Sequence, residues 1–120
     1  IDVGGESTRP GAIRISVEEE QERVLQVIGK IVDADLGCAI SIDTMNSETA
    51  LAAVLLGATI INDVSGGLAD ENMFKVAAET KATLVISHWR GHADVMDTMS
   101  SYQNVALRLL MNSKLESRWQ

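Results

Sequence analysis

Two side chains suited to hold a polar ligand follow neighbouring apolar runs. Asp43 closes the run 38–43, and Asn62 lies near the end of the run 58–64. A carboxylate can accept hydrogen bonds from adjacent ring N–H and amino groups, and a carboxamide can donate and accept at once. The pair therefore suits a heteroaromatic ligand, although Asp and Asn also commonly cap the helices that follow strands.

Polar groups also end the other apolar runs of the chain. Asp2 lies in the run that opens the sequence, and Ser87-His88 ends the run 82–87. Because this happens at four successive runs, we favour a ligand site over four separate helix caps. Asp2 and Asp63 are predicted to be structural, orienting loops or accepting bonds from Ser or Thr. His88 and His92 are four residues apart, but Gly91 lies between them and the segment leaves a strand, so no zinc site is predicted.

The segment after the first run is unusual in composition. Ser7, Thr8, Arg9 and Pro10 lie together in a polar stretch that follows Gly4-Gly5. Arginine can pair bidentately with phosphate or carboxylate. A surface turn and a mobile loop that covers an anionic substrate both fit the composition, and the second is the functional interpretation.

Strand-like and helix-like segments alternate in the order β-α-β-α-β-α-β-α. The strands are near-continuous apolar runs, which is typical of parallel strands covered by helices. A doubly wound sheet and a (β/α) barrel both fit, and no dinucleotide-binding fingerprint follows any strand. Strands are predicted at 1–3, 38–43, 58–64 and 82–87, and helices at 16–37, 46–56, 71–80 and from about 102 onward. Gly57 is predicted to stop the second helix, and Asp70 to cap the third.

The first helix carries the clearest local signals. Ser16 and Glu19 form a predicted capping box. Val24, Val27, Ile28 and Ile31 follow at the spacing of one helical stripe.

Composition excludes several classes of protein. The 120 residues carry a net charge of −7, which argues against a general nucleic-acid binder and a polybasic membrane anchor. The single cysteine, Cys38, allows no intramolecular disulfide and is predicted to be buried. With no apolar stretch long enough to span a membrane and no signal peptide, a cytoplasmic location is predicted.

The chain resembles dihydropteroate synthases. The similarity rests on the run from Asp2 to Ala12, on 41–44, on 57–58 with 61–67, and on 88–91, in the order and spacing of that family. The resemblance implies an α/β protein with a parallel (β/α) TIM barrel. About half of the barrel is expected here, as four β/α units that start at the end of the second strand. A complete barrel takes about 250 residues. Residues 1–120 are therefore predicted to be a partial pterin-binding barrel domain.

The resemblance also implies an activity and a site. Family members condense p-aminobenzoate with 6-hydroxymethyl-7,8-dihydropterin diphosphate in folate biosynthesis and are sulfonamide targets. Asp43 would be catalytic and would hold the pterin with Asn62 and Thr8, while Ser7, Thr8, Arg9 and Pro10 would cover the diphosphate and p-aminobenzoate. Mg²⁺ is expected as cofactor, with its ligands outside these residues. The expected partners are these small molecules and a second copy in a homodimer, without nucleic acid or membrane.

Other parts of the family pattern are expected outside these residues. They include a first strand and later segments that supply a second pterin carboxylate, a lysine and an anion-binding arginine and histidine. The chain alone is therefore predicted to be inactive. Ser87 occupies a position where the family commonly has Met, which would weaken one apolar pterin contact.

Two alternative functions remain open. One is a pterin-binding methyltransferase of the methyltetrahydrofolate type, which has no need of the loop 7–10. The other is a non-catalytic homologue that keeps the fold without the chemistry.

Overall fold

The structure, a computed structural model, describes residues 1–89 of the chain. These residues form a four-stranded parallel sheet with three helices. The predicted order of strands and helices is confirmed up to the fourth strand. The predicted loop after residue 90 and the last helix lie outside the described residues. The strands are β1 (Asp2–Gly4), β2 (Ser41–Asp43), β3 (Ile60–Asp63) and β4 (Thr83–Ile86), and the helices are α1 (Val17–Ala34), α2 (Ser47–Leu56) and α3 (Met73–Thr80).

The strand order selects one of the two predicted architectures. Each strand pairs in parallel with the next one in the chain, giving the order β1-β2-β3-β4. A doubly wound sheet reverses its strand order at a switch point, whereas a (β/α) barrel adds strands sequentially. The described residues therefore form part of a barrel wall, as predicted.

The core lies between the sheet and the helices. Val3, Ile42 and Ile61 occupy matching positions on the first three strands and are buried. Parallel β-α-β connections are right-handed, so successive helices cover the same face of the sheet. Buried residues from all three helices complete this core: Val24, Ile28, Ala50, Ala53, Met73, Val76 and Ala77. No helix within residues 1–89 is long and apolar enough to span a membrane.

Helix α1 begins as predicted but uses only half of the capping box. The Glu19 backbone N–H donates to the Ser16 Oγ at 3.1 Å. The Glu19 carboxylate instead pairs with Arg23 one turn later. In the predicted stripe, Val24 and Ile28 are buried, whereas Val27 is 44% exposed because it lies at the edge of the stripe.

Two expectations about the end of this unit were wrong. Helix α1 ends at Ala34 rather than at Gly37, because Asp35 adopts a left-handed conformation and its N–H donates to the Val32 carbonyl at 3.1 Å. Strand β2 starts only at Ser41, so Cys38 lies in the connection that precedes it and is exposed rather than buried.

The other helices follow the predicted boundaries closely. Helix α2 starts at Ser47, one residue later than expected, and ends at Leu56 before Gly57, as predicted. Helix α3 begins two residues later than expected, at Met73. The N-cap position of α3 is Asn72, so the prediction that Asp70 caps this helix was wrong. Asp70 accepts a bond from the Asn72 N–H at 3.0 Å, and its other oxygen accepts from the Ser47 N–H at 2.7 Å. Asp70 thus caps α2 from the neighbouring unit.

The bonds to Asp70 also change its acidity. Burial alone would raise the pKa of Asp70, but the hydrogen bonds from Ser47 and Asn72 outweigh it and lower that pKa. The carboxylate form therefore ties α2 to the turn before α3.

Gly67 lies in the turn that joins β3 to α3, and its substitution tests the geometry of that turn. Its φ of +84° favours glycine, and a Cβ there would lie 2.2 Å from the Phe74 ring. We expect Gly67→Ala to lower the free energy of unfolding by at least about 2 kcal/mol. The matched control is Gly29→Ala, inside α1 with open space around it, which should be neutral or stabilising by up to about 1 kcal/mol. Chemical denaturation of both variants measures this, and equal effects would contradict the geometry.

Candidate functional site

The register of the sheet brings Asp43 and Asn62 together. They are direct cross-strand partners on β2 and β3. Their neighbours Ile42 and Ile61 point toward the helices, and successive side chains of a strand point to opposite faces. Asp43 and Asn62 therefore share the face that lies toward the barrel interior.

Two further polar side chains extend this face. Ser41 donates through its Oγ to Asp2 Oδ1, and Asn62 Nδ2 donates to Asp2 Oδ2 at 3.4 Å. Asp2 accepts a bond from a serine, as predicted, and it also orients the amide of Asn62. We call Asp2, Ser41, Asp43 and Asn62 the polar floor.

Asp43 has an unusual acidity. Its pKa is raised from 3.8 to about 6, first by burial and then by the negative charges of Asp2, Glu20 and Asp63. At neutral pH the carboxylate form predominates, and a small fall in pH protonates it. Perturbed carboxyl groups of this kind cluster at functional sites.

The loop that carries Ser7 to Pro10 is closed at its base. The Glu6 carboxylate accepts from the Arg14 Nε at 3.4 Å and from the Ile15 N–H at 3.3 Å. The Glu6 side chain is only 6% exposed. The two ends of the loop are therefore held together while its centre extends to the surface.

A tight turn forms the tip of this loop. The Ala12 N–H donates to the Arg9 carbonyl at 3.1 Å, and Gly11 has a φ of +80°. Proline followed by glycine is the sequence that a type II turn favours. The Arg9 N–H also donates to the Ser7 Oγ at 3.3 Å, so the exposed tip has a defined shape.

Of the predicted loop residues, the structure brings only Thr8 next to Asp43. Thr8 and Asp43 line a narrow cavity of about 10 Å³, which has room for about one water molecule. The remaining lining residues are Glu6, Glu20, Thr44 and Met45. Ser7, Arg9 and Pro10 are exposed away from this cavity.

Glu20 is the polar residue that sequence reasoning missed. Its side chain is fully buried, and its carboxylate accepts from Thr44 Oγ1 at 2.7 Å, Asn46 Nδ2 at 2.8 Å and Thr49 Oγ1 at 2.8 Å. An available signal was its spacing: Glu20 lies four residues before Val24, on the apolar side of α1.

Asp63 has the structural role that its position predicts. Its carboxylate accepts from the N–H and Oγ of Ser65 at 2.8 and 2.7 Å and from the Gly67 N–H at 2.8 Å. Burial raises the pKa of Asp63, although these bonds act to lower it. Asp63 thus fixes the turn after β3.

The end of β4 is described only in part. Ser87 is half-buried and His88 is exposed, whereas His92 lies outside the described residues. Among residues 1–89, no group of three or more His, Cys, Asp or Glu side chains could hold a metal ion.

Comparison with known proteins identifies the family. The sequence profile of the pterin binding enzymes matches residues 1–118. The chain belongs to this family. Among curated relatives, it is 40% identical over 102 residues to a dihydropteroate synthase from Synechocystis and 44% identical over 103 residues to the folic acid synthesis protein fol1 of Schizosaccharomyces pombe. The matches cover 85% and 86% of this chain but only 35% and 14% of those proteins.

Solved structures of pterin-binding enzymes show the same fold. A dihydropteroate synthase from Thermus thermophilus in complex with 4-aminobenzoate matches 98% of the chain and 44% of its own length, with a TM-score of 0.83 and 35% identity. The enzyme from Anaplasma phagocytophilum with bound 6-hydroxymethylpterin-monophosphate matches 98% and 49%, with a TM-score of 0.81 and 32% identity. The chain thus spans less than half of these barrels.

The raised pKa of Asp43 predicts a stability cost at neutral pH. Because the folded protein binds this proton more tightly than the unfolded chain, stability falls as the pH rises from about 4 to about 6. Asp43→Asn removes this cost. It should increase the free energy of unfolding at pH 7.5 by about 1 kcal/mol, after allowance for solvent screening, and the gain should vanish below about pH 4.

Urea denaturation at several pH values checks this expectation. Asp33→Asn, an exposed change on α1, is the control and should leave stability within about 0.5 kcal/mol of wild type. A lower free energy of unfolding for Asp43→Asn at pH 7.5 would show that the charged Asp43 carboxylate does not destabilise the folded protein.

Proposed function

We propose that this chain supplies the pterin-binding wall of a dihydropteroate synthase. The observation that carries the proposal is the pairing of Asp43 with Asn62 on the interior face of the sheet, with Thr8 beside Asp43. The relatives named dihydropteroate synthase and the structures with 4-aminobenzoate and a pterin phosphate support this choice. The reaction joins p-aminobenzoate to 6-hydroxymethyl-7,8-dihydropterin diphosphate, giving 7,8-dihydropteroate and diphosphate.

The polar floor would hold the pterin ring by its hydrogen-bonding edge. The Asp43 carboxylate accepts from a ring N–H and the neighbouring amino group, while Asn62 both donates and accepts. Asp2 accepts from the Asn62 amide nitrogen, which leaves the amide oxygen free to face a ligand donor. The half-buried site makes these bonds stronger than they would be in water.

Asp43 would also act on the chemical step. The bond from the methylene carbon of the pterin to the diphosphate oxygen breaks, and the diphosphate leaves with the bonding electron pair. The amine nitrogen of p-aminobenzoate then forms a bond to that carbon with its lone pair and releases one proton to solvent. Positive charge develops on the pterin and its methylene when the diphosphate leaves, and a fixed carboxylate against the ring stabilises it. Asp43 is therefore the proposed catalytic residue.

The loop would cover the reacting groups. Ser7, Arg9 and Pro10 lie at its exposed tip, and Thr8 lies at the cavity beside Asp43. The Arg9 guanidinium can pair with diphosphate oxygens or with the carboxylate of p-aminobenzoate. Because the Glu6 carboxylate ties the loop base, the tip can close without displacing α1.

Further parts of the proposal rest on the resemblance alone. Mg²⁺ would assist diphosphate binding through ligands outside these 120 residues. A homodimer and a cytoplasmic location stay predictions. The partial coverage of every relative above also supports the proposal that the remaining barrel strands, with their anion-binding and lysine segments, are needed for turnover.

The two alternative functions, a methyltransferase and a non-catalytic homologue, predict different roles for the loop 7–10 and different outcomes of an activity assay. A methyltetrahydrofolate-type methyltransferase has no leaving diphosphate, so an arginine-bearing loop beside the pterin site disfavours it. A non-catalytic homologue would bind the pterin without forming product. The activity assay separates these functions.

The first test compares the protein as its gene encodes it with the 120-residue chain alone. With both substrates and Mg²⁺, the encoded protein should form dihydropteroate and release diphosphate, measured by chromatography, whereas the 120-residue chain should not. A sulfonamide should compete with p-aminobenzoate, as expected from the sulfonamide complex of the Yersinia pestis enzyme. Product formation by the short chain would contradict the need for further strands. Absence of product from the encoded protein would favour the non-catalytic homologue.

The second test addresses Asn62. Asn62→Ala removes a donor and an acceptor from the pterin edge, so the Kd for the dihydropterin should rise roughly tenfold to hundredfold. Asn72→Ala is the matched control, because Asn72 is exposed and its side chain makes no capping bond at α3. Calorimetric titration of both variants measures the change, and equal affinities would exclude Asn62 from the site.

A further inference from the structure

Glu20 is a buried charge whose environment is built from neutral donors. Its carboxylate accepts one bond at Oε1, from Thr44, and two at Oε2, from Asn46 and Thr49. A buried carboxylate is costly unless hydrogen bonds compensate it, so this arrangement is a specific feature of the fold. A leucine at this position of α1 would pack the helix against the sheet without that cost.

The three donors all follow Asp43 closely in the chain. Thr44 comes directly after Asp43, Asn46 is two residues later, and Thr49 lies in the first turn of α2. The Thr44 Oγ1 also accepts from the Asn46 N–H at 3.0 Å, which closes the turn on itself. We call residues 44–46 the Asp43 turn. The Thr44 N–H donates to the Asn62 carbonyl of β3 at 3.3 Å, and the side chains of Thr44 and Asn46 both donate to the Glu20 carboxylate of α1.

We propose that Glu20 is a positioning residue for Asp43: by holding the Asp43 turn from α1, it sets the direction in which the Asp43 carboxylate faces a bound pterin. Glu20 and Asp43 line the same narrow cavity, and Glu20 reaches it from α1. Asn46 occupies the N-cap position of α2 without making a capping bond, because its side chain is committed to Glu20. This inference rests on the proposed pterin function of Asp43.

The charge of Glu20 has a second consequence for Asp43. The acidic groups around Asp43 are Asp2 from β1, Glu20 from α1, Asp63 from β3 and Glu6 from the loop that shares its cavity. The first three raise the pKa of Asp43 by repulsion. Removal of the charge at Glu20 must therefore lower that pKa, which makes the carboxylate a weaker acceptor.

The test uses Glu20→Gln in the protein as its gene encodes it. The variant keeps the size of the side chain and removes its charge. We expect the pKa of Asp43, followed by carboxyl ¹³C NMR, to fall by roughly half a unit. The pH below which dihydropterin affinity declines should move down by the same amount. Dihydropterin affinity at pH 7.5 should weaken roughly tenfold, because the Asp43 turn is less firmly held. The KM for p-aminobenzoate should stay unchanged.

Two further variants separate positioning from mere structural support. Glu18→Gln removes the same charge from an exposed position of α1 and should change neither the Asp43 pKa nor dihydropterin affinity. Asn46→Ala unties the turn while keeping the charge at Glu20, so it should weaken dihydropterin binding without lowering the Asp43 pKa. If Glu20→Gln does not fold, Asn46→Ala decides the question, because wild-type affinity in that variant overturns the inference.

The outcomes also separate this inference from the proposed function. An unchanged Asp43 pKa and unchanged dihydropterin affinity in folded Glu20→Gln overturn the role of Glu20. A wild-type protein that binds no dihydropterin contradicts the proposed function. In that case a lowered Asp43 pKa in Glu20→Gln still supports the action of Glu20 on Asp43, because the NMR titration needs no ligand.

Discussion

Parallel pairing in chain order is the constraint on which the rest of the structure depends. Once β1 to β4 pair one after another, the helices that connect them cover one face, and alternate side chains of every strand must face the other way. Apolar residues at Val3, Ile42 and Ile61 meet the helices. The same register then aligns Asp2 with Ser41, and Asp43 with Asn62, on the opposite face. The core and the candidate site therefore lie on opposite faces of the same sheet.

Buried or partly buried carboxylates hold the loops around the candidate site in place. Asp70 caps α2 from the turn before α3, Asp63 fixes the turn after β3, and Glu6 closes the loop before α1. Glu20 reaches from α1 to the turn after β2. The bonds of Asp70 and Glu20 join different β/α units, whereas those of Asp63 and Glu6 close a single turn or loop. Short strands can therefore present their polar ends in a defined arrangement, because the turns that follow them are held from the side.

Under the proposed function, the acidic surroundings of Asp43 would serve activity at the expense of stability. Four other carboxylates lie near Asp43, and burial together with repulsion from three of them raises the pKa of Asp43 to about 6. A protein selected for stability alone would replace such a residue. A cationic ring or a developing positive charge would be favoured in the same place, since it would relieve the repulsion. The strain is thus consistent with a site that stabilises positive charge on a bound pterin.

Much of this protein could be derived from sequence patterns. Continuous apolar runs separated by helical stretches indicated the parallel β/α order, the Ser16 cap marked the start of α1, and Gly57 marked the end of α2, because these signals are local. The run from Asp2 to Pro10, with Asp43 and Asn62, was enough to indicate the family. The buried position of Cys38 was predicted wrongly, since the apolar run extends beyond the paired strand.

Only the tertiary structure decided which side chains meet. The sequence by itself determined the elements, the polar strand ends and the family, because residue type and spacing carry that information along the chain. The bonds of Glu20 to Thr44, Asn46 and Thr49 and the placement of Thr8 beside Asp43 come from the register of the sheet and the packing of α1 on it. These contacts join residues 24 or more positions apart. Their energies depend on burial and distance, which the chain acquires only when it folds.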